Sequence, residues 1–149
     1  MDWFRSAISR ARKFAAVDRQ TKFLIVSAMS LLWFVRIGLR VVSLRTVQSV
    51  TRRLGRAKPV ARPRYGAGQI SELVARCAVY VPGANCLPQA LTADILLRRE
   101  GYDPILKIGV ARGAQGEFQA HAWVEVQGES YSSGNESTGR FTALPAAFG

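Results

Sequence analysis

Cys86 and His121, the latter the only histidine in this chain of 149 residues, are of the two types that together perform nucleophilic thiol catalysis. An imidazole that takes the thiol proton leaves a sulfur able to attack a carbonyl carbon, and a thioester follows. Asn85 is a favoured N-cap type, and Pro88 is tolerated only in a first turn, so this stretch predicts a helix starting at Cys86. A thiol placed there meets unpaired N–H groups and the positive end of the helix dipole, which favour thiolate over thiol. Leu87, Ala90, Leu91, Ala93, Ile95, Leu96 and Leu97 give that helix a wide apolar face; Arg98 and Arg99 suit its C-terminal end, and Gly101 supplies its stop. On position alone a competing reading stands, that Cys86 is a small buried hydrophobe.

The histidine decides between them. Residues 118–126 alternate, with Phe118, Ala120, Ala122, Val124 and Val126 on one face and Gln119, His121, Trp123 and Glu125 on the other, continuing to Gln127. The pattern predicts a strand that points His121 to its polar side, whereas a core histidine belongs among the apolar partners. The backbone N–H of Cys86 is the expected oxyanion donor, with Asn85 or Gln89 adding a side-chain donor. Trp123 either shields the pair, binds substrate or simply packs. Glu125 shares the strand face but lies about four rises of roughly 3.3 Å from His121, too far to orient the ring.

Around these residues the chain divides by charge and composition. Up to Arg64 there are 15 Lys and Arg against 2 acids, and from Tyr65 onward 6 against 8. Residues 1–54 read as helical, in three pieces: Trp3, Phe4, Ile8, Ala11 and Phe14; residues 23–35; and Ile37, Val41, Leu44 and Val47. The run 23–35 falls short of the roughly 20 residues of a membrane span, and no signal-peptide cleavage pattern follows it. A buried helix is expected, with interfacial attachment as the alternative. The basic residues predict a solvated face or an anionic partner or membrane surface; without a recognisable nucleic-acid-binding motif, nucleic acid is not expected. Residues 55–68, with Pro59, Pro63 and Gly66, read as a linker, and residues 70–81 as a short helix before the turn at Pro82-Gly83. A strand at 105–110 and a turn at 112–116 precede the histidine strand. The expected division is a basic helical region at 1–58, a linker at 59–69 and a catalytic domain at 70–149.

Two cysteines make no disulfide framework, and one histidine cannot complete a His/Cys zinc site, so neither a metal nor another cofactor is expected. Cys77 sits in an apolar run and is expected in the core. Reduced thiols fit a cytoplasmic protein.

The words Asn85-Cys86-Leu87 with Gln89-Ala90-Leu91, then Leu96-Leu97-Arg98-Arg99-x-Gly101, Ile108-Gly109-Val110 and Ala120-His121-Ala122-Trp123-Val124-Glu125 resemble the transglutaminase-like cysteine protease of lasso-peptide biosynthesis, the leader peptidase portion of the B protein. The resemblance runs from about Ile70 to the C-terminus, more weakly through the basic helices. It implies an α+β, papain-like or transglutaminase-like fold, in which a helix carrying the cysteine packs on a small antiparallel sheet carrying the histidine. It implies cleavage of a ribosomally made precursor peptide between leader and core, with Cys86 as nucleophile and His121 as base. The partners it implies are a small leader-binding protein and an ATP-dependent lasso cyclase. The family usually has an Asp about a dozen residues after the histidine, where this chain has Ser133. An odd loop at Gln127-Gly128 would put Ser133 and Asn135 on the His121 face, and an even loop Glu136. Papain-like enzymes orient their histidine with Asn, which favours Asn135. The rival readings are acyl transfer to an amine and a non-catalytic peptide-binding or scaffold subunit.

Overall fold

The computed structural model describes residues 18–56, 62–132 and 138–144, arranged as four helices and one four-stranded antiparallel sheet. The helices are α1 (Arg19–Val41), α2 (Leu44–Gly55), α3 (Ala67–Ala78) and α4 (Cys86–Arg99). The strands are β1 (Ile105–Arg112), β2 (Phe118–Val126), β3 (Glu129–Tyr131) and β4 (Thr142–Ala143), in the order β3-β2-β1-β4. This is the α+β architecture expected from the sequence. The apolar piece spanning Trp3 to Phe14 lies outside the described residues.

Helix α4 is the hub, with α1, α2 and α3 packing on it as well as β1 and β2. Nine of its fourteen residues are buried, among them Leu91, Ile95, Leu96 and Leu97, and each such aliphatic side chain contributes roughly 1.5–3 kcal/mol when removed from water. One continuous core links Leu24, Leu32 and Val35 of α1, Val47 of α2, Ile70 and Val74 of α3, the α4 residues, and Ala122, Val124 and Val126 of β2. The helices ahead of residue 58 and the segment behind it therefore share a core. The described part of the expected linker is pinned: the Arg64 N–H donates to Glu100 Oε2 at 2.8 Å, and Tyr102 Oη donates to the Tyr65 carbonyl at 3.0 Å.

Helix α1 differs from the expectation drawn from its apolar run. Asp18 caps its start by accepting from the N–H groups of Gln20 and Thr21, and the helix continues past Arg36 and Arg40 to Val41. With 23 residues it is long and apolar enough to cross a membrane by length and composition, although Leu24, Ala28, Leu31, Leu32 and Val35 are buried against protein. Arg36 and Arg40 end the hydropathic run without ending the helix, because Arg is a good helix former.

Candidate active site

Cys86 is the first residue of α4, as the Asn85 and Pro88 signals predict. Asn85 occupies the N-cap with extended backbone, φ −71° and ψ −165°, but its exposed side chain makes no capping hydrogen bond. Pro88 brings no N–H, so the first turn of α4 carries its amides at Cys86 and Leu87, next to the thiol, without a side-chain cap. Gln89 instead donates from Nε2 to the Ala84 carbonyl, bracing the chain as it enters the helix. Cys86 is half-buried and packs, with Leu87, at the margin of the core, whereas Cys77 is buried, which pushes its thiol up.

On β2 the alternation holds, but the face carrying His121 is not open to solvent. His121 and Trp123 are each only 4% exposed, as buried as their apolar neighbours Ala122 and Val124. The cover comes from the C-terminal segment, where Phe141 stacks on the imidazole with centroids 4.9 Å apart and planes at 27°. Trp123 lies alongside, 6.1 Å from the imidazole at 19°. Gly109, opposite His121 on β1, is what lets this stack close. A Cβ there would fall 2.8 Å from two atoms of the Trp123 ring and 3.0 Å from the Phe141 Cβ. Trp123 Nε1 donates to Glu125 Oε1 at 3.3 Å, and Lys107 pairs with Glu125 at 3.7 Å, closing the polar end of the same face.

The imidazole is held by a residue that the sequence reading passed over. His121 Nε2 and Ser132 Oγ share a hydrogen bond of 2.7 Å. The hairpin at Gln127-Gly128 has two residues, both with positive φ (54° and 84°), and pairs Val126 with Glu129. That is the even loop, and it brings Ser132, just beyond β3, alongside Trp123 on the histidine face. The signal was present in the Gln-Gly pair, since such φ values mark the two-residue turn whose twist suits a hairpin. Ser133, Asn135 and Glu136 lie outside the described residues.

Thiol and imidazole are thus carried by two elements that pack together, α4 and β2. The β3 ladder runs only from Val126 to Val124 on β2, so it stops before His121. A family model described as the transglutaminase-like superfamily matches residues 30–146, well over half of the chain and including both Cys86 and His121. The chain belongs to the transglutaminase-like superfamily. That superfamily includes cysteine peptidases and acyltransferases, and its members are usually cysteine-dependent enzymes. No curated protein and no solved structure matches the chain.

Membership brings part of α1 and all of α2 within the matched domain, because the match begins at residue 30. A cavity of about 320 Å³ lies away from the Cys86 and His121 positions, between α2, α4 and β1, with Arg52, Leu91, Asp94, Arg98 and Leu144 among its walls. Burial raises the Asp94 carboxyl above its ordinary range there, despite two hydrogen bonds from Arg98 at 3.1 Å.

Proposed function

We propose that this transglutaminase-like protein is a cysteine peptidase that removes the leader from a ribosomally made lasso-peptide precursor. The observation that carries the reading is a thiol at the uncapped start of α4, a helix packed on the strand whose one histidine is clamped by Ser132 and Phe141. The motif words around Cys86 and His121 supply the substrate class.

In this mechanism Cys86 Sγ attacks the scissile carbonyl carbon after its proton passes to His121. The hydrogen bond between Nε2 and Ser132 Oγ holds the ring for this exchange. The tetrahedral oxyanion is met by the Cys86 N–H. The C–N bond breaks as the imidazolium protonates the leaving amine, and a thioester to the leader remains. Water, deprotonated by His121, then attacks the thioester; the acid leaves and the thiol regains its proton. The aromatic stack excludes bulk water from one side of the ring and fixes its plane. Gln89, already bonded to Ala84, acts by holding the helix start, and the role of meeting substrate falls in this reading to Asn85, whose exposure supports it. A leader-binding protein delivers the precursor, and an ATP-dependent cyclase takes the released core.

Incubating the protein with the co-encoded precursor and its leader-binding partner, then weighing the products, tests the reading. Hydrolysis gives leader and core whose masses sum to the precursor plus one water. A leader mass raised by an added amine in place of water would make the protein an acyltransferase. An intact precursor with Cys86 no more readily alkylated than Cys77 would make it a non-catalytic subunit.

A further inference from the structure

We infer that the outer face of α1 is an interfacial anchor that lays this protein flat on an anionic membrane surface. The inference stands on α1 alone and does not rest on the peptidase reading.

Helix α1 is apolar on two opposite faces. Leu24, Ala28, Leu31, Leu32 and Val35 are sunk in the core, which rules out crossing a bilayer while the core is intact. On the other side Phe23, Val26, Trp33, Phe34, Ile37 and Val41 are all exposed, Phe23 at 73% and Val41 at 76%. At about 100° per residue these six positions fall within a stripe about 100° wide, and Ser30 is the one polar residue in it. From Phe23 to Val41 the stripe runs about 27 Å, straight along one helix. An exposed apolar patch that continuous marks an interaction site rather than ordinary surface.

The charge around the stripe selects the occupant. Lys22, Arg36 and Arg40 follow one border of it, and α1 contains no acidic residue. The guanidinium carbon of Arg36 lies over the Trp33 ring, 5.4 Å from its centroid, so a positive charge sits against an aromatic ring of the stripe. Upstream in sequence come Arg5, Arg10, Arg12 and Lys13 against the single acid Asp2 before Asp18. An apolar stripe carrying aromatics and bordered by cations alone is the composition of a helix lying in a headgroup layer, where apolar burial and attraction to anionic lipid add. A second copy of this chain is a poorer occupant, because pairing two such stripes gathers like charges with no acid on α1 to balance them.

The test uses the full chain and vesicles of phosphatidylcholine, with or without about 30% phosphatidylglycerol to supply the negative surface. Expected are flotation with the anionic vesicles only, weakening as salt rises, and a blue shift of tryptophan emission that is absent in Trp33→Phe. A Phe34→Ser/Ile37→Ser variant, altered only at exposed positions, should fold normally and partition at least about tenfold more weakly. Absence of binding overturns the inference. So does salt-sensitive binding that this variant leaves unchanged, since charge alone would then be the cause. A concentration-dependent dimer that the variant abolishes, without vesicle binding, would instead place a second copy on the stripe.

Discussion

The two faces of the sheet are built by alternate residues of the same strands, and they do different work. Toward α4 point Leu106 and Ile108 of β1 and Ala122, Val124 and Val126 of β2, all apolar and merged with the helical core. The opposite face carries Lys107, Gly109, His121, Trp123 and Glu125, roofed by Phe141. The first face is closed by a fourteen-residue helix, the second by a short C-terminal segment whose strand β4 has two residues. One peptide bond separates Ala122, whose methyl fills the core, from His121, whose ring is held by Ser132 and Phe141. Core packing and the setting of the imidazole are thus divided by the pleat of a strand, so substitutions on the two faces of β2 should separate folding from turnover.

The largest expected effect is at the reacting atoms. Cys86→Ala and His121→Ala should each lower precursor cleavage by about a thousandfold or more. The thermal unfolding of Cys86→Ala should stay within about 1 kcal/mol of the parent. A Cys86→Ala protein that cleaves at the parental rate would remove the chemistry from this site altogether.

Next comes Gly109, which bears on the outer face without touching substrate. Gly109→Ala must part Trp123 from Phe141, and displacing a reacting ring by about 1 Å costs on the order of a hundredfold. Single-turnover rates should fall by that order while precursor binding holds. Overpacking should also cost about 1–3 kcal/mol in denaturant unfolding. Ser132→Ala should act more mildly, lowering kcat about tenfold to a hundredfold, on the pattern of bases that lose their orienting partner. Ser132→Thr, which keeps the hydroxyl, should recover most of the loss; equal damage from both would deny the hydroxyl an orienting role.

The smallest effect on turnover is expected on the helix side. Val124→Ala should cost about 1–3 kcal/mol of stability through lost burial and a cavity, yet cleave at the parental rate per folded molecule. A loss of turnover there matching Ser132→Ala would erase the distinction between the faces.

Much of this arrangement is legible in the residues. The cap type at Asn85, Pro88 in the first turn and Gly101, which adopts a φ of 91°, bound α4 at Cys86–Arg99. The alternation at 118–126 gives β2 its limits and puts His121 on the correct face. What escaped depends on distant or conformational facts. Burial of that face comes from Phe141, twenty residues along the chain, which no periodicity within β2 reports. Ser132 escaped because the loop length turns on Gln127 adopting φ 54°, in a pair where Asn-Gly would have been the stronger signal. The full length of α1 escaped because hydropathy stops at arginines that a helix accepts.

The order in which strands follow one another has a kinetic consequence. β1, β2 and β3 are sequence neighbours joined by tight turns, and His121 and Ser132 are only eleven residues apart. Such local contacts form early, because closing a short loop costs little chain entropy. Cys86 gains its place only when α4 docks among three helices and the sheet. The nascent chain is therefore expected to carry an ordered imidazole and an idle nucleophile. In refolding, protection of the β1–β2 amides against hydrogen exchange should precede the return of Cys86 reactivity, so that the proposed cutting of peptide appears only in the finished fold.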